Sequence, residues 1–148
     1  MLYFYFMILS LFTSRQDVNF REQQMAFPRV QEAYNEKGPE MERLLEKNGL
    51  QKDDLEIYIR AFKQERVIEV WAKNNTDSAF QLLKEYPVCK NSGKLGPKRQ
   101  QGDLQVPEGF YYINEFNPRS NYHLSLGINY PNASDKILSD AYTPGGDI

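Results

Sequence analysis

A thiol and an imidazole together can run nucleophilic catalysis: the thiolate attacks and the imidazole carries the proton. This sequence holds one of each, Cys89 in "EYPVCKNSG" and His123 in "SNYHLSLG". Their spacing decides nothing, because such pairs meet in space rather than along the chain. Each also has a plainer reading. Cys89 follows a probable strand end and reads as a small, half-buried residue. His123 lies between Tyr122 and Leu124, near Arg119, and reads first as a satisfied strand histidine and second as a ligand contact. One cysteine excludes an internal disulfide framework, and one Cys with one His excludes Cys-based zinc and His-rich metal sites. No metal and no cofactor is expected.

Two other stretches hold chemical side chains. "SGKLGPKRQQGD", from Ser92 to Asp103, mixes glycines with Lys94, Lys98 and Arg99. It lacks the spacing of a P-loop, so it reads as an exposed basic loop, with an anion-facing loop as the alternative. "VPEGFYYI" after it reads as a Pro-led turn, with Gly109 placed for positive φ. The region "NEFNPRSNYHLSLGINYPNASD" concentrates Asn117, Arg119, Ser120, Asn121, Tyr122, His123, Ser125, Asn129, Tyr130 and Asn132. That is more hydrogen-bonding capacity than a bare sheet needs, and it marks a candidate recognition surface for a polar ligand.

The elements that must position these groups follow from pattern. The chain has 148 residues and 41% apolar content, enough for one domain with a core. A net charge of −2 gives no basic field for nucleic acid. Ten Tyr and nine Phe favour a β-rich fold. Leu2 to Phe12 is an eleven-residue apolar run, shorter than the roughly 20 residues a membrane helix needs. Residues 1–14 read as a signal or anchor remnant despite the missing basic flank, with a buried helix or a start-site artefact as alternatives. Residues 15–49 read as helical, one helix opening at Pro28 and stopping at Gly38 and another running from Pro39 to Gly49. From Leu55 the period becomes two. "LEIYIRAFK" and "RVIEVWAKN" form a hairpin, "AFQLLKEYPV" a third strand, and "GFYYINEF" and "YHLSLGINY" two more in an antiparallel meander. The fold class is α+β, N-terminal helices followed by a β-rich, mostly antiparallel region.

The segments "EIYIRAFKQERVIEVWAKN", "SGKLGPK", "GDLQVPEGFY", "FNPRSNYHLSLGINYPN" and "PGGDI", in this order, resemble the YkuD-type L,D-transpeptidase catalytic domain in its YafK-like murein branch. The resemblance runs from about Leu50 to Ile148. It implies a β-rich catalytic domain of the bacterial cell envelope or periplasm, held there by the N-terminal signal or anchor. It also implies a cysteine that forms a thioester with a peptidoglycan stem peptide, resolved by an amine or by water; a murein-linked lipoprotein is a further implied partner. In such domains the catalytic His-Gly and Gly-Cys follow the "PGGDI" segment. The expectation is therefore a partial domain over residues 50–148, C-terminally truncated before its catalytic His and Cys, and inactive alone. Neither Cys89 nor His123 matches the family's catalytic positions. Arg119, Tyr122, His123 and Asn132 are carried over as substrate-side residues. Two readings stand beside this one: a non-catalytic module that binds peptidoglycan or a partner, and a non-functional gene fragment.

Overall fold

A computed structural model describes residues 19–139 and 143–146. The apolar run of residues 1–14, with its expected signal or anchor role, lies outside the described residues. Among the described residues no helix is long and apolar enough to cross a membrane.

Helix α1 (Phe20–Met25) is capped by the Asn19 side chain, which accepts from the Arg21 backbone N–H at 3.1 Å. Helix α2 spans Pro28–Lys47 without a break, which corrects the expected stop at Gly38. The reason is a stripe the proline obscured. Val30, Ala33, Tyr34, Gly38, Met41 and Leu45 line one side of α2, spaced by three and four residues along the whole helix. Pro39 deletes one helical N–H, but it is exposed, so water can serve the carbonyl left bare. The stop comes at Gly49, whose φ of 66° suits glycine. Leu50 N–H donates back to the Leu45 carbonyl at 2.9 Å and Gly49 N–H to Glu46 at 3.0 Å, a Schellman-type ending.

Strands β1 (Leu55–Phe62), β2 (Val67–Asn74) and β3 (Gln81–Pro87) form one antiparallel sheet in the order β1-β2-β3. The expected hairpin is present, in register from Leu55↔Asn74 to Phe62↔Val67. Alternation sends Ile57, Ile59, Val70 and Ala72 towards α2, and Tyr58, Arg60, Glu69 and Trp71 to the other side. The buried core sits at the C-terminal end of α2, where Leu45, Leu50 and Ala72 meet with Leu55 and Leu83 packed around them. Further along, α2 and the sheet leave an apolar cleft of about 500 Å³.

The expected single meander is divided in two. Among the described residues, strands β4 (Ile113–Asn117) and β5 (Ser125–Ile128) pair only with each other. The "GFYYINEF" strand begins at Ile113 rather than Gly109, because residues from Val88 to Tyr112 form a loop packed by side chains instead of a ladder. Lys63 organises one part, donating to the carbonyls of Gly96 at 2.7 Å and Val106 at 3.1 Å and pairing with Glu108 at 2.8 Å. The expected exposed basic loop is corrected at its centre: Lys98 is buried and pairs with Asp103 at 2.6 Å. Gly109 does not take positive φ. It is small for another reason, since a Cβ there would sit 2.8 Å from the Tyr111 hydroxyl.

Asp103 accepts from Lys98 Nζ and from the backbone N–H groups of Arg99, Gln100 and Gln105 at 2.6–3.0 Å. Desolvation pushes its pKa up, but these donors outweigh it and hold the carboxyl well below the usual carboxylate range. A depressed folded-state pKa means the unfolded chain binds more protons, so the stabilisation is present above the unfolded pKa of roughly 3.9 and fades as pH falls below it. Asp103→Asn should therefore lower the thermal midpoint at neutral pH by several degrees. It should also flatten the acid limb of the stability profile, measured as melting temperature against pH.

Candidate functional site

The β4–β5 register pairs Glu115 with Gly127, Phe116 with Leu126 and Asn117 with Ser125. Opposite residues share a face, so Phe116 and Leu126 lie on one side and Glu115, Asn117, Gly127 and Ser125 on the other. The apolar side turns to the helices. Phe20 meets Phe116 edge-to-face at 5.0 Å, beside a cleft of about 320 Å³ walled by Met25, Val30, Tyr34 and Leu124.

The polar side opens a cavity of about 520 Å³ lined by Asn114, Glu115, Asn117, Tyr122, Ser125 and Tyr130 among others. Gly127 makes room for it, since a Cβ there would lie 3.1 Å from Glu115 Cβ and 3.3 Å from Asn114 Oδ1. The walls combine one carboxylate, two carboxamides and hydroxyls. That set can accept from and donate to peptide groups and can place a negative charge against an ammonium.

Tyr130 closes the end of the cavity. It is 6% exposed, its hydroxyl donates to the Pro144 carbonyl at 2.8 Å, and its ring meets Tyr111 at 6.1 Å. Gln101 N–H donates to the Thr143 carbonyl at 2.9 Å. These two bonds seat residues 143–146 against the loop around Lys98. Burial, and then the Asp135 carboxylate, push the Tyr111 hydroxyl above the ordinary tyrosine value. Burial likewise raises Tyr130. Both stay protonated at neutral pH and serve as donors.

The four carried-over residues do not converge on one point. Tyr122 is 90% exposed and lines the polar cavity. Arg119 lies in the β4–β5 connection, with its guanidinium 5.0 Å from the Phe27 ring centroid. His123 is not in a strand; it takes φ 77° in that connection, and its carbonyl accepts from Arg29 at 3.2 Å. Asn132 caps a short helix the sequence reading missed, α3 (Ala133–Leu138), in a reciprocal capping box with Asp135. Its amide also donates to the Phe110 carbonyl at 3.2 Å.

Cys89 and His123 do not form a pair. Cys89 is exposed, not half-buried, and its neighbour Val88 is tied to the β1–β2 turn through Arg66 at 2.8 Å. His123 instead belongs to the α2 side, where its carbonyl accepts from the Arg29 side chain. Neither lines the polar cavity. Asn114 and Glu115 do line it, and the reading by residue type passed over them. The alternation in "INEFN", which puts Glu115 and Asn117 on one face, was the available signal.

No protein-family model matches the chain. Over 82 residues it is 44% identical to YafK of Escherichia coli K12, itself described as a candidate L,D-transpeptidase, covering 54% of this chain and 32% of that protein. The YafK of Escherichia coli O157:H7 gives the same figures. The match thus spans about a third of the length of these curated relatives. Over that stretch the chain is similar to the YafK-like candidate L,D-transpeptidases.

Proposed function

We propose that this chain serves peptidoglycan L,D-transpeptidase chemistry in the bacterial cell envelope, and that its polar β4–β5 cavity receives the stem peptide. The observation that carries this reading is the 44% identity to YafK over 82 residues. In the reaction a cysteine thiolate attacks the stem peptide's carbonyl, a thioester forms as the amine leaves, and an amine or water resolves the thioester. Glu115, Asn117 and Ser125 orient the peptide, and Tyr122 covers it. Arg119, His123 and Asn132 do not line this cavity and border the peptide only where it leaves it. The nucleophile is not Cys89. Cys89 stands away from the peptide cavity, so no thioester forms on it when the chain binds the stem peptide. A murein-linked lipoprotein is the proposed second partner, and residues 1–14 are the proposed envelope-targeting segment.

The test is to incubate the chain with a disaccharide-tetrapeptide and follow intact mass together with amide NMR shifts. The expected result is saturable shifts at Glu115, Asn117 and Ser125 and no covalent adduct, in wild type and Cys89→Ala alike. Glu115→Gln should weaken binding by roughly tenfold, the loss of one charge-assisted contact. An acyl adduct on Cys89, or an absence of shifts around the cavity, would overturn the reading.

A further inference from the structure

The side of the β1-β2-β3 sheet turned away from α2 is built unlike a face waiting for a hydrophobic partner. Tyr58 stands directly across from Trp71 in the register, and its ring lies 6.0 Å from that of Phe80. Tyr58, Phe80 and Leu82 are 44%, 38% and 41% exposed. Between the rings, charged groups are fixed rather than loose. Trp71 Nε1 donates to Glu69 at 2.7 Å, and Arg60 pairs with the same carboxylate at 3.5 Å. The Arg60 guanidinium also lies 4.7 Å from the Phe62 ring and 5.5 Å from that of Trp71. Lys73 pairs with Glu56 at 3.1 Å.

We propose that this aromatic face binds a neutral glycan chain of N-acetylated pyranose rings. The inference rests on the peptidoglycan reading above, and assigns that polymer's sugar backbone to a surface separate from the peptide cavity. The axial C–H groups of a pyranose are weakly positive and pack on the negative face of an aromatic ring, while the hydroxyls along its edge need fixed polar partners. Tyr58, Trp71 and Phe80 supply the rings, and the Arg60–Glu69 and Glu56–Lys73 pairs supply donors and acceptors already locked in place. Charge selects the occupant. Both cations on this face carry a carboxylate partner, and Glu85, opposite Glu69, adds a further negative charge. The face therefore repels polyanions and suits an uncharged, hydroxyl-rich ligand. The platform continues over the edge of β1, which has no strand partner among the described residues, into a polar cavity of about 240 Å³, bounded by Phe110, which is 86% exposed. That is below the roughly 300–1,000 Å³ of drug-sized pockets and suits a single ring.

Trp71 is the only tryptophan in the sequence and sits within this face, so it reports occupancy directly. The experiment titrates the full chain with tetra-N-acetylchitotetraose while recording Trp71 emission and the indole N–H resonance. The expected result is a saturable change in both, with affinity falling roughly tenfold in Tyr58→Ala and Phe80→Ala, each checked for fold by circular dichroism. The indole resonance of the wild type answers the question without any variant. Flat emission with an unmoved resonance overturns the proposal. So does a Trp71 signal that follows protein concentration rather than sugar, with a dimer in sedimentation, because a second copy then covers the face. The stem-peptide titration reads the β4–β5 cavity, so failure there with a sugar response at Trp71 removes only the peptide reading.

Discussion

Leu45→Ala is expected to abolish cooperative unfolding, leaving a shallow urea transition in place of a sharp one. Leu45 is 6% exposed and joins α2 to the sheet through Leu50 and Ala72, with Leu55 and Leu83 packed around them. Truncating a buried leucine costs about 2–5 kcal/mol, through lost transfer energy and the cavity left behind. A domain of this kind has about 5–15 kcal/mol in total. Few other buried apolar side chains are available to absorb the loss, since Ile57 and Ile59 on the same side of the sheet remain 58% and 41% exposed. Leu45→Met, which keeps the volume, should cost less than about 1.5 kcal/mol. Equal melts for the alanine and methionine variants would show that this cluster does not hold α2 to the sheet.

Asn74→Ala should be nearly as damaging, for a polar reason. Asn74 is 8% exposed at the end of β2. Its Oδ1 accepts from Gln51 N–H at 2.8 Å, and its Nδ2 donates to the Gly49 carbonyl at 3.1 Å and to Asp77 at 3.0 Å. One side chain thus ties the end of α2 to the sheet and to the next turn. Alanine leaves the Gln51 N–H and the Gly49 carbonyl without these partners, at roughly 1–3 kcal/mol for each group left bare in a part-buried site. Asn74→Asp keeps the acceptor for Gln51 but sets a second carboxylate beside Asp77, so it should fall with the alanine variant at neutral pH and recover partly in acid. Chemical denaturation of the variants at two pH values checks both statements. A stability like that of wild type in Asn74→Ala would mean that water replaces the amide at no cost.

Much of the local architecture could be read from the residues because it depends on neighbours in sequence. The β1–β2 hairpin follows from alternation on either side of a four-residue polar link, and the register observed is the one that keeps Ile57 and Val70 on the α2 side. Gly49 ends α2 because only a residue tolerant of positive φ closes that turn cheaply. The failures were of another kind. Gly38 and Pro39 looked like a helix boundary, yet the apolar stripe runs on from Val30 to Leu45 along the side of α2 that walls the cleft, and burying its Leu45 end against the sheet outweighs one missing hydrogen bond. Lys98 looked like a solvated loop lysine, yet it turns inward because Asp103 waits there already ligated by three backbone N–H groups.

The candidate site divides along the same line. Residue types alone marked the stretch from Asn117 to Asn132 as a recognition surface, and ordered motifs carried its similarity, found over 82 residues, to YafK-like candidate L,D-transpeptidases. By itself, then, the sequence determined the α+β class, the hairpin, the helix ending at Gly49 and the relationship. Only the tertiary structure decided which side chains share a cavity. Glu115 and Tyr122 line one polar pocket because β4 and β5 pair as a separate two-stranded sheet, whereas Arg119 and His123 are drawn to the α2 side by Phe27 and Arg29 and Asn132 is engaged in capping α3. Hydrogen-bonding capacity is a property of a residue. The direction in which it is spent is set by contacts between segments far apart in the chain, such as the Arg29–His123 bond across 94 positions.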